Sequence, residues 1–412
     1  MSRQFRSDDT SKWLDGYGNG SLGNYSSAGN INIANLMNYA NVTAGTSGTN
    51  SLTLGSSGNP GNFTANTLVV IRQLYGTGVG GWELNKIANN NGFPNGGGAI
   101  TMTYPLQNNY AAGAIMMVLV PFMNFTLNSA HTLTVTNWDG TTHSFLPILC
   151  NGTCTITGLI DGVGRGFRGG AGSVGVNGGN SLNGFRGEGE ASDNLTRQAT
   201  ANGIGAGAGN STGSFGDLRS GGGGGGHATT GTAGQVGQNS TGGAGGNAIG
   251  IADLTQLFNG GAGGGGAGRS NDNVGSPSTG GTGGNGGASV LIIAKSIILN
   301  NGSLSISVNG QVGGNAFGSG SNASGGGGGA GGSILLKCQT ATLGTNLMTA
   351  LGGGGGNAQA GFSNNGGAGA NGRIHLDYLT GFTGSTNPGI DARQDFSLIT
   401  PTQGGFFQNF LA

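Results

Sequence analysis

The chain has 412 residues, of which 97 are glycine, and only 7% are charged, with equal numbers of basic and acidic side chains. A net charge of zero excludes the basic surface that nucleic acids and anionic lipids require. No apolar stretch reaches the roughly 18 residues of a membrane helix. We therefore expect neither nucleic-acid binding nor membrane insertion.

The N-terminal sequence lacks the apolar core of a secretory signal. The expected location is a virion or an extracellular surface, reached by lysis, by another route or after loss of a leader. Residues 1–23 are polar and carry the densest charge in the chain, with Trp13 and Leu14 as an apolar anchor. This composition predicts an N-terminal arm that attaches the protein to other subunits.

Residues 24–160 have an ordinary composition, in which short apolar runs alternate with Gly-, Asn- and Pro-containing turns. This pattern predicts a β domain, either a sandwich or an irregular β-helix. The expected strands lie at 66–74, 100–104, 114–120, 125–128 and 132–136.

Cys150 and Cys154 flank a three-residue segment that predicts a hairpin loop between strands at 145–150 and 155–160. Two thiols at the shoulders of such a loop can form a disulfide in an oxidising compartment, and a buried pair of free thiols is the alternative. Cys338 lies in an apolar run and is predicted to be a core residue. Because no second motif supplies further zinc ligands, we expect no metal site, and no motif indicates a cofactor.

Glycine is concentrated between Gly162 and Gly372, where it supplies 70 of 211 residues. From Gly166 to Gly178 it keeps a strict period of three, but with eight prolines in all the chain is not collagen. The period predicts polyproline-II strands packed side by side, with amides bonded to neighbouring strands because no Cβ keeps the backbones apart. A flexible glycine-serine linker is the alternative.

Apolar strands interrupt the glycine tracts. The run that begins at Ser289 returns at Ser333 and at Arg373, each time directly after a glycine tract. One unit of strand, turn, strand and glycine tract cannot bury its own apolar face, so the copies must stack, with the glycine loops on one side.

The predicted fold class is therefore all-β: a layered β-sandwich or irregular β-helix with a glycine-rich polyproline-II bundle and essentially no helix. The best helix candidate is 251–258. The predicted domains are an arm at 1–23, a β domain at 24–160, a glycine-rich domain at 161–380 and a C-terminal tail at 381–412.

Several motifs follow one another in an order that is informative beyond composition. They lie at 68–71, 76–85, 104–106, 120–121, 138–140, 164–170 (Gly-Arg-Gly-Phe-Arg-Gly-Gly) and 372–378 (Gly-Arg-Ile-His-Leu-Asp-Tyr). In this order they resemble a family of large bacterial and phage-associated glycine-rich β proteins. The glycine tracts are separately similar to phage tail-tip adhesins that stack polyproline-II helices, which implies loops that bind host surface molecules.

Few side chains are suited to catalysis. Asp139 and Asp161 are the only carboxylates in comparable strand-end positions, and each belongs to an Asp-Gly pair typical of turns. His375 and Asp377 share one face of a strand, which indicates an exposed polar face rather than a catalytic pair. We therefore do not expect an enzyme.

The function expected from the sequence is that of a non-enzymatic virion fibre or tail-tip adhesin. Its expected partners are a host cell-surface glycan or outer-membrane protein, and other subunits through residues 1–23, in a homo-oligomer. The candidate receptor-contact residues are Arg219, His227, Arg269, Asn271, Asp272, Phe362, Asn364 and Asn365. The alternatives are a self-assembling extracellular or cell-surface filament and, less favoured, an ice-binding protein or a β-helical polysaccharide-degrading enzyme.

Overall fold

A computed structural model describes most of the chain. The described residues are 22–32, 38–57, 63–91, 97–174, 182–191, 197–201, 203–210, 219–237, 240–268, 278–318, 323–359 and 364–398. Helix in this part of the chain is confined to one 3-10 turn at Phe396–Leu398, which confirms the predicted all-β class. The best helix candidate, 251–258, is not helical, because turns and bends occupy that segment.

The strands belong to two sheets. In chain order they are β1 (Asn24–Ser26), β2 (Ile31–Asn32), β3 (Tyr39–Gly45), β4 (Ser51–Ser57), β5 (Leu68–Gln73), β6 (Trp82–Asn89), β7 (Gly98–Met102), β8 (Tyr110–Val118), β9 (Pro121–Phe122), β10 (Asn124–Leu127), β11 (Thr132–Thr134), β12 (Phe145–Ile156), β13 (Leu159–Asp161), β14 (Ser289–Leu299), β15 (Ile306–Ser307), β16 (Ser333–Thr349), β17 (Arg373–Asn387) and β18 (Asp391–Gln394).

The larger sheet has twelve strands, and its pairs are parallel. Successive segments stack as rungs: β1 with β2, β10 with β11, β12 with β13, β14 with β15, then β16 and β17. The first strands of successive rungs pair with one another and form one row. The second strands form another row in the order β2-β11-β13-β15, and β15 pairs with the end of β16. This parallel stacking of rungs is the arrangement of an irregular β-helix.

The repeated strand predicted from the sequence is confirmed as a structural repeat. Ser289 is in register with Ser333, and Ser333 is in register with Arg373. The residues that follow each of these positions, such as Ile334 and Ile374, are buried in the main core. The predicted domain boundaries at 160 and 380 cross this sheet, since β12 pairs with β14 and β17 continues to Asn387.

The hairpin predicted around Cys150 and Cys154 is wrong. β12 runs through both residues in parallel to β14, with an irregularity in register between Cys150 and Thr153. A Cβ at Gly152 would overlap the Asn124 side chain, so this glycine permits a bulge against the neighbouring strand. Both thiols are buried and free, as is that of Cys338. The structure therefore matches the free-thiol alternative.

The smaller sheet is an antiparallel barrel of six strands in the order β3-β4-β7-β6-β5-β8, inserted between the first and second rungs. Its apolar strands are buried on both faces. Val69 and Ile71 of β5 belong to the core of the barrel, whereas Val70 packs into the main core with Ile115 of β8. The barrel is therefore fixed to the rest of the molecule by its outer face.

The glycine-rich region is a bundle of extended tracts, which we call the glycine bundle. Its tracts are 164–174, 182–190, 203–210, 219–227, 231–237, 240–249, 259–268, 278–288, 308–317, 323–332, 350–358 and 364–372. Few of their residues belong to strands or turns. Instead, their backbone amides donate to carbonyls of other tracts.

The hydrogen bonds of the bundle repeat every three residues. In 221–226, the first and fourth amides donate to the 231–237 tract, the second and fifth to 323–332, and the third and sixth to 203–210. The carbonyls accept from three further tracts, 240–249, 259–268 and 364–372. A threefold repeat without internal hydrogen bonds is the geometry of a polyproline-II helix, here with neighbours on six sides.

The same six-neighbour environment surrounds the tracts 259–268 and 323–332, so the bundle is a hexagonal lattice of polyproline-II helices. Every residue of these two tracts is buried. Across the interior tracts, a Cβ would overlap the carbonyl of a neighbouring tract. Glycine is therefore required by the distance between the helices, and the linker alternative does not describe the structure.

Asparagine and glutamine side chains complete the lattice at its edge. Where an outer tract lacks a backbone neighbour, a side-chain oxygen accepts its amide. Examples are Leu351 N to Asn309 Oδ1 at 2.7 Å, Asn357 N to Asn315 Oδ1 at 2.8 Å and Ala358 N to Asn365 Oδ1 at 2.7 Å. The lattice thus ends without leaving these amides unpaired.

Replacing an interior glycine tests the lattice. A Cβ at Gly327 would overlap the carbonyl oxygen of Gly223, whereas a Cβ at the exposed Gly354 would meet no atom within 4 Å. We expect Gly327→Ala to lower the free energy of unfolding by about 3 kcal/mol or more, because backbone cannot move aside as a side chain can. Gly354→Ala should change it by less than about 1 kcal/mol. Denaturant titration of both variants is the measurement, and equal effects would contradict the lattice.

Candidate functional site

The glycine bundle has two different ends. At one end the tracts continue into the parallel sheet, since Ser289, Ser333 and Arg373 directly follow a tract. We call the opposite end the far end. It contains the tract termini near Val174, Leu182, Asn210, Arg219, Gly237, Ser240, Gly268, Ser278, Phe317, Ala323, Gln359 and Asn364.

Contacts between neighbouring termini show that they lie together. Five backbone hydrogen bonds join neighbouring termini: Gly268 N to Leu182 O, Ser220 N to Asn210 O, Ser324 N to Ala267 O, Gln359 N to Ala323 O and Gly325 N to Asn364 O. Thr279 forms isolated bridges with both Val174 and Phe317, and the hydroxyl groups of Ser220 and Ser240 are 2.5 Å apart. The far end therefore joins six pairs of termini, between which the chain runs through 175–181, 211–218, 238–239, 269–277, 319–322 and 360–363.

Several described side chains at the far end are exposed. Val174, Val236 and Phe317 have exposed fractions of 56%, 66% and 63%. Arg197 contacts the tract that starts at Leu182: its Nη1 donates to Asn183 O, and its guanidinium carbon lies 4.2 Å from the centroid of the Phe185 ring. The described part of this end thus presents apolar and aromatic groups, with the Arg197 cation stacked on Phe185. The valines were missed in the sequence because an isolated valine in a glycine tract gives no signal of exposure.

The predicted receptor-contact residues fall into three groups. Arg219, His227 and Asn364 are buried, so their assignment to exposed loop tips is wrong. Asn365 is half-buried at the far end, where its side chain accepts the amide of Ala358. The other candidates, Arg269, Asn271, Asp272 and Phe362, lie outside the described residues.

His227 is a structural residue at the strand end of the bundle. Its Nδ1 lies 2.7 Å from the carbonyl oxygen of Gly331, and its Nε2 lies 3.4 Å from Ser333 Oγ. Backbone amides of the 219–227 tract donate to the carbonyls of Gly325 and Gly328. The imidazole of His227 continues this series at the next carbonyl, that of Gly331, where the tract turns away. Burial lowers the pKa of His227 to about 4, which keeps the ring neutral at physiological pH.

The carboxylates considered for catalysis stabilise turns. Asp139 Oδ1 accepts the amides of Thr141 and Thr142, and these hydrogen bonds lower its pKa. Asp161 Oδ1 accepts the amide of Val163, and its Oδ2 pairs with Arg165 at 3.0 Å. Both aspartates therefore stabilise turns, as their Asp-Gly pairs indicated in the sequence.

His375 and Asp377 are buried, so the exposed polar face predicted for them is wrong. Asp377 pairs with Lys337 and Arg393, and His375 contacts Asp391 at 2.7 Å and Asp377 at 3.2 Å. The hydrogen bond from His375 and the charge of Lys337 hold the pKa of Asp377 below its usual range despite burial. This network fastens β18 to β17 and β16.

The Gly-Arg-Gly-Phe-Arg-Gly-Gly motif also has a structural role. Glu188 is buried and accepts the indole N–H of Trp138 at 3.0 Å and the backbone amide of Arg168 at 2.9 Å. Its carboxylate pairs with the Arg168 guanidinium, and the ring of Phe167 packs edge-on against Trp138 at 5.5 Å. The motif therefore connects the bundle to the loop between β11 and β12.

The described ranges lack two further kinds of feature. They contain no group of three or more His, Cys, Asp or Glu side chains arranged to hold a metal ion. Nor does that part of the chain include a helix with the length and hydropathy needed to cross a bilayer.

The buried His227 predicts a specific loss of stability in acid. Between pH 6.5 and about 4 the unfolded chain binds a proton at this residue and the folded chain does not, so stability falls as the pH falls through this window. The loss amounts to roughly 3 kcal/mol. His227→Gln should flatten the dependence of the unfolding free energy on pH in this window. The matched control is His143→Gln, at a half-buried site, which should retain most of that pH dependence. An unchanged slope in His227→Gln would contradict this assignment.

No protein-family model, curated protein or solved structure matches this sequence. The far end of the bundle is consequently identified as the candidate site by geometry alone: six connections converge there on a backbone lattice.

Proposed function

We propose that this protein is a non-enzymatic adhesin of a virion fibre or tail tip, and that the far end of the glycine bundle binds a host surface. The observation that carries the proposal is the convergence of six chain connections at one end of a hydrogen-bonded lattice. Binding residues commonly lie on loops that a rigid scaffold positions. A lattice of this kind is such a scaffold.

The lattice favours binding because it reduces the entropy lost on association. Each loop that must be ordered by its partner lowers affinity, and fixing the loop ends beforehand reduces that loss. At the far end, neighbouring termini are joined by backbone hydrogen bonds such as Gly325 N to Asn364 O at 3.1 Å. Segments of up to nine residues, such as 269–277, are therefore anchored at both ends.

The composition of the connecting segments favours a neutral glycan as the partner. They are rich in Asn, Ser and Gly, contain Phe215 and Phe362, and include few charged residues. Amide and hydroxyl groups form the hydrogen bonds that sugar hydroxyls require, and aromatic rings provide apolar faces. An outer-membrane protein is the alternative partner, and the experiment below distinguishes the two.

Attachment to the particle is assigned to the N-terminal region. Residues 1–21 lie outside the described part of the chain, and Leu22 donates its amide to Pro121, beside the first rung of the parallel sheet. The strands of that rung, β1 and β2, are distant in sequence from the tract termini of the far end. We propose that residues 1–23 dock onto other subunits in a homo-oligomer and leave the far end free.

The test is a set of loop replacements. Residues 211–218, 269–277 and 360–363 are replaced by Gly-Ser segments of equal length, and binding of labelled protein to a panel of Gram-negative cells is measured. We expect at least tenfold weaker binding with an unchanged melting temperature, because the lattice hydrogen bonds join tracts that lie outside the replaced segments. Periodate treatment of the cells should abolish binding to a glycan, and protease treatment should abolish binding to a protein.

The matched control replaces Thr229 and Thr230, two exposed residues in a turn at the strand end of the bundle. That variant should bind as the parent does. Binding that survives all three loop replacements, or that is lost in the Thr229 and Thr230 variant, would exclude the far end as the binding surface. Concentration-dependent fibres in electron micrographs, without cell binding, would favour the filament alternative.

A further inference from the structure

Arg72 is a buried cation at the junction of the barrel, the parallel sheet and the glycine bundle. It belongs to β5, on the outer face of the barrel, and its exposed fraction is 1%. One terminal nitrogen, Nη2, lies 3.0 Å from Leu257 O, 3.1 Å from Asn259 Oδ1 and 3.0 Å from Ser289 Oγ. A single group with two hydrogens thus faces three acceptors.

The other donors of this junction have no acceptor among the residues that the structure describes. Arg72 Nε and Nη1, Asn259 Nδ2 and Ser144 Oγ are buried and lack a hydrogen-bond partner within the described ranges. Ser144 adjoins the same junction, because its carbonyl accepts the amide of Ser289. All four groups are able to donate an N–H or O–H. Leaving such groups unpaired in the interior costs about 1–3 kcal/mol each.

The charge of Arg72 is likewise uncompensated. No carboxylate of a described residue contributes to its pKa, which burial alone lowers to about 9, so the side chain remains a cation at neutral pH. Its guanidinium carbon lies 4.9 Å from the centroid of the Phe145 ring, which offsets only part of the desolvation. A buried charge without a counter-ion is strongly destabilising.

We propose that a small monovalent anion of the halide class binds beside Arg72, where one of its two unpaired guanidinium nitrogens, Asn259 Nδ2 and Ser144 Oγ are able to donate to it. The groups that need a partner are donors around a cation, so an anion satisfies both requirements. A water molecule would supply acceptors but no charge. The site connects the barrel to β12, β14 and the start of the 259–268 tract. The proposal is independent of the function assigned to the far end.

The direct test is crystallographic. Crystals of the unmodified protein grown in sodium bromide should give an anomalous difference peak beside Arg72. In solution, thermal unfolding is followed while sodium gluconate is replaced by sodium chloride at constant ionic strength. Since an anion that binds only the folded state stabilises it by mass action, the melting temperature should rise by about 1–2 °C for each tenfold increase in chloride.

Asn259→Asp sharpens the solution test. Its carboxylate would provide a fixed counter-ion next to Arg72, so this variant should melt at a higher temperature without chloride and lose the chloride dependence. The matched control is Asn364→Asp, at a buried asparagine of the far end whose Nδ2 also lacks a partner, and it should retain that dependence. Equal melting temperatures of the unmodified protein in chloride and gluconate, or crystals without a bromide peak beside Arg72, would overturn the proposal.

Discussion

The structure depends on backbone hydrogen bonds between glycine tracts that pack without side chains between them. Ordering a glycine costs on the order of 1–2 kcal/mol of backbone entropy, and glycine contributes no apolar side chain in return. In the interior tracts such as 221–226 that cost is offset because every amide and carbonyl has a partner and the peptide groups pack closely. Since the bonds repeat in six directions, the lattice has no unpaired interior edge.

Three tracts of the lattice run directly into strands of the parallel sheet. Tracts 278–288, 323–332 and 364–372 continue into β14, β16 and β17, so neighbours in the bundle become neighbours in the sheet. The apolar strands supply the hydrophobic burial that the glycine tracts lack. This combination explains how a chain with 7% charged residues folds around backbone hydrogen bonds and apolar strands. Polar side chains such as His227 continue the hydrogen-bond pattern where a tract ends.

Sequence patterns with a local period were informative. The period of three from Gly166 to Gly178 indicated the polyproline-II helices, and the returns of the strand at Ser289, Ser333 and Arg373 indicated stacked copies in register. Long-range pairing was not accessible in this way. The Cys150 segment reads as a hairpin locally, yet both of its flanks pair with distant strands. Arg219, His227 and Asn364 read as loop-tip residues because polar groups in glycine tracts usually face solvent, but the lattice buries them.

The central claim is that the glycine tracts form a fixed hydrogen-bonded lattice, and amide hydrogen exchange measured residue by residue tests it most directly. The account predicts strong protection across 221–226, 260–267 and 324–332, comparable to that of β14 and β16, with weaker protection on the outer tracts such as 350–358. Exchange at the rate of an unstructured peptide throughout these three interior tracts would contradict it.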